Sequence, residues 1–129
     1  MPNIRLQLLP ETYAISRLEP ATPLPAWADG PGFVSICRSS EELSIVCLQQ
    51  RVPAGTTTDG GWTALRFVGP FAFGETGIVL SVIRPLSENG LGIFVVSTYD
   101  GDHLLLKTTD MPRATELLIQ AQHSLLPAG

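Results

Sequence analysis

The order of strand and helix patterns along this sequence predicts an α+β fold. Two observations carry the prediction. Apolar residues switch between the alternation of a strand and the three-to-four spacing of a helix, and Gly-containing pairs mark the turns between these segments. From Trp62 onward the order is β-α-β-β-α-β, which is typical of a ferredoxin-like sandwich with two helices on one face of the sheet. A shorter β-α-β-β module is expected before it.

The second half begins with a strand and a helix. Residues 62–68 alternate as a strand that stops at Gly69-Pro70. Apolar residues at helical spacing then predict a helix that ends at Asn89-Gly90. Pro85 lies inside this pattern and cannot donate a hydrogen bond to the carbonyl of Ser81, so we expect it to kink the helix or to end its regular part.

A hairpin, a second helix and a last strand complete this order. Residues 91–98 (LGIFVVST) read as a strand with little polar alternation, Asp100-Gly101 supplies a hairpin turn, and residues 103–107 (HLLLK) form the returning strand. Asp110 is placed to cap a second helix that has a proline in its first turn. Residues 123–127 (HSLLP) can form one more strand.

The first half has the same order in a shorter form. Residues 5–9 and 12–18 read as strands, either separate or joined into one strand bent at Pro10. Residues 21–30 have room for one or two helical turns, and residues 33–48 predict a hairpin. Neither a second helix nor a closing strand follows, so this module is expected to be incomplete.

The boundary between the two halves is predicted from composition. The segment from Pro53 to Gly61, PAGTTTDGG, contains no large apolar residue and reads as a linker. We therefore expect an incomplete module at residues 1–57 and a complete domain at residues 62–129.

Composition and charge exclude several classes of protein. The chain has 129 residues, of which 44% are hydrophobic and 16% charged, enough apolar material for a real core. A net charge of −4, with 8 scattered Lys and Arg residues, argues against a nucleic-acid partner. No apolar run approaches the roughly 18 residues that span a bilayer, and MPNIRLQLLP does not resemble a secretory signal. We expect a cytoplasmic protein without a membrane partner.

The sequence contains no motif of a catalytic or metal site. GxSxG, HExxH, CxxC and P-loop patterns are missing. Cys37 and Cys47 are expected to be buried free thiols, on opposite faces if the turn between them centres on Ser40-Glu41. His103 is expected to be structural, and His123 lies near a helix end where a positive charge suits the dipole. We predict no enzyme, no cofactor and no bound metal.

The start of the first long helix is a candidate site for an anion. A helix start leaves about four backbone N–H groups without intrahelical partners and carries partial positive charge, so the carboxylate of an amino acid fits there. Gly74 and Gly77 would keep the approach open. Thr76 would either cap its own helix or donate to the ligand, and Glu75 would either bind an α-ammonium group or be a favourable acidic residue at the helix start.

A cluster of polar residues follows the next strand. Thr98, Tyr99, Asp100 and Asp102 fall at a strand end and turn, on the sheet edge to which the loop before the first helix also leads. A carboxylate here would lie close to an anion-binding helix start. A zwitterionic ligand needs both groups, the carboxylate for its ammonium group and the helix start for its own carboxylate. For Asp100, an Asx-type bond within the turn is the favoured interpretation.

The segment GPFAFGETGIVLSVIRPLSENGLGIFVVSTYDGDHLLLK resembles the ACT domain of amino-acid-responsive regulators. The motifs that carry the resemblance are Glu75-Thr76-Gly77-Ile78, at the helix start, and Ile93-Phe94 through Ser97-Thr98-Tyr99 to Asp102-His103. PAWADGPGFVSICRSSEELSIVC is similar to the leading half of small bacterial ACT proteins. These are similar in turn to aspartokinase regulatory domains and to the cytosolic arginine sensor of animals.

The resemblance implies a function and a set of site residues. ACT modules typically pair side by side and bind an amino acid at the seam between modules or subunits, so we expect a homodimer. Asp102 matches an aspartate of the arginine-sensor family and is expected to contact the ligand. The full set of predicted ligand-binding residues is Glu75, Thr76, Gly77, Ile78, Thr98, Tyr99 and Asp102.

The predicted function is a non-catalytic, amino-acid-binding regulatory protein of the ACT type. The alternative is a protein–protein interaction or oligomerisation module that binds no ligand. A small enzyme would require Cys37 or His103 to act, and the missing motifs disfavour it. RNA binding is disfavoured because the middle strands lack the stacking aromatic and basic residues that such a sheet needs.

Overall fold

Eight strands and two α-helices follow one another in the computed structural model, which describes residues 2–71 and 75–128. Single turns of 3-10 helix lie at Ala26–Ala28, Gln49–Arg51 and Thr108–Asp110. None of the helices in the described residues is long and apolar enough to cross a membrane. The elements are β1 (Arg5–Leu8), β2 (Tyr13–Leu18), β3 (Ser35–Arg38), β4 (Leu43–Leu48), β5 (Thr57–Phe67), α1 (Ile78–Ser87), β6 (Ile93–Ser97), β7 (Asp102–Lys107), α2 (Met111–Gln120) and β8 (Ser124–Leu126).

The chain forms two compact units. The C-terminal unit consists of Met1–Pro10 with Thr63–Gly129, and the N-terminal unit consists of Glu11–Trp62. The sequence-based division counted the first ten residues with the first half. The structure groups them with the second half because β1 pairs antiparallel with β5 and parallel with β8.

The C-terminal unit is a β-α-β-β-α-β sandwich with one added strand. Its strand order is β6-β7-β5-β1-β8, so β1 separates the first and last strands of the motif. The predicted α+β, ferredoxin-like fold is therefore confirmed. Side chains from β1, β5, β7 and both helices share one core, which consists of Ile4, Leu6, Leu65, Phe67, Ile78, Val82, Leu86, Leu104, Leu106, Ala114, Leu117 and Leu118.

The C-terminal end of α1 is determined by local hydrogen bonds at Gly90. Gly90 has a φ of 79°, its N–H donates to the carbonyl of Ser87, and the N–H of Leu91 donates to Leu86, as in a Schellman motif. The predicted stop at Asn89-Gly90 is thus confirmed. The helix nevertheless continues through Pro85 as far as Ser87, so, of the two alternatives for Pro85, an early end of the helix is wrong.

At the start of α2, the position of the predicted cap is correct but its hydrogen bond is not formed. Asp110 immediately precedes the helix, and a proline lies in the first turn. However, Asp110 belongs to a 3-10 turn and has helical backbone angles, and its side chain makes no capping hydrogen bond.

The N-terminal unit is built on strands in the order β3-β4-β2-β5. A turn of 3-10 helix at Ala26–Ala28 occupies the region where one or two helical turns were predicted. β1 and β2 are separate strands, which resolves the alternative left open at Pro10. The core of this unit contains Ala28, Leu43, Ile45 and Cys47.

The predicted linker is wrong over its second half. β5 begins at Thr57, and the segment from Thr57 to Asp59 pairs antiparallel with β2. The hydroxyl groups of Thr58 and Ser16 lie 3.0 Å apart. Strand pairing uses backbone groups, so exposed side chains can be polar throughout without ending the strand.

The two cysteines are both free and lie on opposite faces of their hairpin, as predicted. Cys37 is opposite Ser44, and Cys47 is opposite Ala14 on β2. Cys47 is buried, and burial raises its pKa, an effect that Arg51 partly opposes. Cys37 is exposed, so the prediction of two buried thiols is wrong for this residue. It lies on β3, which among the described strands pairs only with β4.

Candidate functional site

A cavity of about 380 Å³ in the C-terminal unit is lined by the start of α1 and by the turn between β6 and β7. Of the predicted ligand-binding residues, it brings together Glu75, Gly77, Ile78, Thr98, Tyr99 and Asp102. Thr76 is exposed and is not part of the lining. Gly74, which the sequence also placed at this approach, lies outside the described residues. We call this space the first cavity.

The helix start at the first cavity is formed by glycine. Gly77 is the N-cap residue of α1 with a φ of 80°, and nothing lies within 4 Å of the position where its Cβ would be. The first helical hydrogen bond runs from the N–H of Ser81 to the carbonyl of Gly77, at 3.0 Å. The three preceding N–H groups therefore have no intrahelical partner. Because Gly77 occupies the cap position, Thr76 does not cap the helix.

The turn between β6 and β7 is held by its own hydrogen bonds. The N–H and the hydroxyl of Thr98 both donate to the carbonyl of Gly101, at 2.7 and 3.0 Å. The Ser97 hydroxyl donates to Oδ1 of Asp102, which fixes that carboxylate beside the first cavity. Gly101 does not have a positive φ, so the primed turn usually formed by an Asp-Gly pair is not the one used here.

Carboxylates give the first cavity a negative lining. Glu75, Asp100 and Asp102 line it, and its described lining includes no Lys or Arg. The partial positive charge of the α1 start offers the opposite sign. The lining of the first cavity therefore contains groups of both signs. In the described ranges, no group of three His, Cys, Asp or Glu side chains could hold a metal ion.

A second cavity of about 270 Å³ adjoins the first one. It shares five lining residues with the first cavity, which are Phe71, Thr98, Asp100, Gly101 and Asp102. It adds Arg66 and His103, which bring one guanidinium and one imidazole next to the shared carboxylates. Sequence reasoning did not select Arg66. The only local signal was that Arg66 is the single basic residue of its strand.

His103 is affected by these surroundings. Burial lowers its pKa, and the nearby positive charge of Arg66 lowers it further. Asp102 acts in the opposite direction but is the smallest of the three effects. The surroundings of His103 therefore favour the neutral form of its imidazole.

Comparison with known proteins identifies the family. A family model described as an ACT domain matches residues 57–120, and a second model, described as an N-terminal domain, matches residues 11–55. The chain belongs to the ACT-domain family, and the resemblance found in the sequence is confirmed.

The chain is also similar to individual proteins. The crystal structure of protein Atu0741 from Agrobacterium tumefaciens is 56% identical, with a TM-score of 0.96, and the match covers 100% of this chain and 96% of that one. The mouse protein named cytosolic arginine sensor for mTORC1 subunit 1 is 28% identical over 98 residues, 72% of this chain and 28% of the sensor.

Aspartate kinase from Clostridium acetobutylicum shares the fold. Its TM-score is 0.63 at 13% identity, and the match covers 87% of this chain and 33% of the kinase. The chain spans about half the length, or less, of the curated relatives that it matches. It covers 52% of a human relative named putative protein CASTOR3P and 28% of the mouse sensor. Together, the ACT domain and the similarity to the arginine sensor support a regulatory role.

Proposed function

We propose that this protein is a non-catalytic regulatory protein that binds an amino acid in the first cavity. The observation that carries the proposal is the meeting of two complementary groups in one space. The uncapped start of α1, at Gly77 and Ile78, and the carboxylate of Asp102 line the same cavity. An α-amino acid carries the two charges that these groups would bind.

The proposed binding mode assigns each end of the ligand. The α-carboxylate accepts hydrogen bonds from the first N–H groups of α1. The α-ammonium group lies against Asp102, with Glu75 as a second carboxylate in the lining. Thr98 and Tyr99 line the turn side, whereas Thr76 is left out because it does not reach the cavity.

The proposal includes a homodimer in the cytoplasm, with the cavity at the seam between subunits. Leu80 is 50% exposed and Tyr99 is 80% exposed, and both line the first cavity. Covering these side chains with a second subunit would bury apolar surface and enclose the ligand. The ligand would then regulate by favouring the assembly for which it has the higher affinity.

A thermal-shift screen of the twenty amino acids tests this function. Arginine is the first compound to test, because the mouse relative is named as an arginine sensor. A ligand at about 100 times its dissociation constant adds roughly 2.7 kcal/mol to the free energy of unfolding. We therefore expect at least one amino acid to raise the melting temperature visibly. A flat screen at millimolar concentrations would contradict the proposal and favour the ligand-free interaction module.

Asp102→Asn tests the assignment of the ammonium partner. Asparagine retains an oxygen that can accept the Ser97 hydroxyl but removes the charge. Hydrogen bonds to charged groups contribute about 1.5–3 kcal/mol, so we expect the best ligand to bind roughly tenfold more weakly or worse. Isothermal titration calorimetry measures the affinity. Glu116→Gln is the matched control, since Glu116 is an exposed carboxylate that lines neither cavity. Equal affinity in both variants would remove Asp102 from the site.

A further inference from the structure

The carbonyl of Ser81 in α1 lacks its usual helical donor. In an α-helix, the N–H of residue i+4 donates to the carbonyl of residue i, and here that position is Pro85, which has no N–H. Ser81 is only 4% exposed. A buried carbonyl without a donor is costly, so another group must take the place of the missing N–H.

His123 provides this donor. Its Nε2 lies 2.8 Å from the Ser81 carbonyl oxygen, and its Nδ1 accepts a hydrogen bond from the N–H of Ile4 at 3.0 Å. Because Nδ1 is an acceptor, the ring proton is on Nε2 and is donated to Ser81. The side chain is 95% buried, since its exposed fraction is 5%. The sequence-based interpretation of His123 as a cation near a helix end is therefore wrong.

The hydrogen bonds of Ser81 connect His123 to the first cavity. The N–H of Ser81 donates to the carbonyl of Gly77 at 3.0 Å, and the hydroxyl of Ser81 donates to the carbonyl of Ile78 at 2.8 Å. Gly77 and Ile78 both line the first cavity. On the other side of the ring, Ile4 leads into β1 and also accepts a hydrogen bond from the N–H of Ser124, at 3.0 Å.

We propose that His123 is a positioning residue of the first cavity. It replaces the donor that Pro85 removes, and it thereby fixes the first turn of α1 against the start of β1. The N–H groups proposed to bind the ligand carboxylate belong to this turn. Only the consequence for ligand affinity rests on the proposed function, because the hydrogen bonds themselves exist without a ligand.

Amide hydrogen exchange in a double-mutant cycle tests the proposal without ligand. His123→Phe keeps the ring but removes the donor, and we expect exchange at Ser81 and Val82 to become about tenfold faster or more, relative to amides in α2. In a Pro85→Ala background the N–H of residue 85 can donate to Ser81, so the same substitution should have a smaller effect. Equal acceleration in both backgrounds would overturn the proposal.

A conservative substitution and a spectroscopic signature separate positioning from simple loss of packing. His123→Gln keeps one acceptor and one donor and should restore slow exchange at Ser81, which His123→Phe does not. The ¹⁵N chemical shifts of His123 should show a neutral ring with its proton on Nε2. A proton on Nδ1, or failure of glutamine to restore slow exchange, would contradict the assignment.

Ligand binding distinguishes failure of this inference from failure of the proposed function. The best amino acid of the screen should bind His123→Phe about tenfold more weakly than the wild type, with part of the loss recovered by adding Pro85→Ala. Unchanged affinity would show that His123 does not position the cavity. If no amino acid binds the wild type, the proposed function fails, while exchange and NMR still decide whether His123 fixes the first turn of α1.

Discussion

His103 shows how neighbouring groups control the charge of one residue in the second cavity. Burial and Arg66 lower its pKa below the ordinary value of 6.5, against the smaller opposing effect of Asp102. The unfolded chain therefore binds a proton more readily than the folded one. As pH falls through about 6.5, the unfolded state gains protons first, and the folded state loses stability.

We predict that His103→Gln reduces the acid sensitivity of folding. Glutamine has no titrating group, so the variant should lose less free energy of unfolding than the wild type between about pH 7.5 and pH 5. Urea unfolding at a series of pH values measures the difference, and carboxylates common to both proteins cancel in the comparison. If the free energy of unfolding depends on pH in the same way in both proteins, the pKa of His103 is the same in the folded and unfolded states, and the prediction is wrong.

Half of the described lining of the first cavity was predicted, from two local patterns together with the family resemblance. Glu75, Gly77 and Ile78 were considered because a helix start exposes N–H groups whatever the rest of the fold is. Thr98 was considered because it directly follows a strand, and Asp102 was selected because it matches an aspartate of the arginine-sensor family. Arg66 was missed because its place in the same cavity lining as Asp102 depends on the pairing of β5 with β7, which no local pattern contains.

At the scale of elements, the start of α1 depends on glycine and not on a capping side chain. Thr76 has the residue type of a cap, yet Gly77 occupies the cap position with a φ of 80°. A left-handed residue there directs the chain from the preceding loop into the helix, a conformation that costs most residues about 1–2 kcal/mol. The N–H groups at this end then remain available to the cavity.

Gly77→Ala should destabilise the protein by about 1–2 kcal/mol, because alanine pays the steric cost of the left-handed conformation. Chemical unfolding measures this effect, and calorimetry should show weaker ligand binding if the helix start shifts. Gly92→Ala is the matched control, since Gly92 has open space around its Cβ position and no positive φ. A similar free-energy change in the two variants would argue against strain at Gly77.

β5 shows why composition alone misassigned an element. Its first residues are polar, as in a loop, but they extend the sheet of the N-terminal unit by pairing with β2. From Thr63 onward the same strand belongs to the C-terminal unit. A strand can satisfy its backbone groups while its side chains remain exposed, so a run of threonine and glycine does not identify a linker.

At the scale of the whole molecule, the first strand completes the unit that contains the candidate site. Ile4 and Leu6 belong to the core of the C-terminal unit, and β8 pairs with β1 and with no other described strand. The predicted domain at residues 62–129 would lack these side chains and this pairing partner.

We predict that residues 62–129 alone do not fold cooperatively. Loss of β1 removes Leu6, which is fully buried, and leaves β8 without its neighbour. Thermal unfolding followed by circular dichroism should show no sharp transition for the fragment. A circular permutant that attaches residues 1–10 after residue 129 through a flexible linker should restore one. Cooperative melting of the unmodified fragment would contradict this prediction. In the full chain, Leu6→Ala should cost about 2–5 kcal/mol.

The sequence by itself determined the fold class, both α-helices and the stop of α1 at Gly90, and it indicated half of the described residues that line the first cavity. These features depend on periodicity and turn chemistry, which act over a few residues. Only the tertiary structure placed β1 between β5 and β8, brought Arg66 and Asp102 into the lining of one cavity, and joined His123 to the Ser81 carbonyl that Pro85 leaves without a helical donor. His123 and Ile4 lie 119 positions apart, so their contact arises from packing of the complete unit and has no local signal.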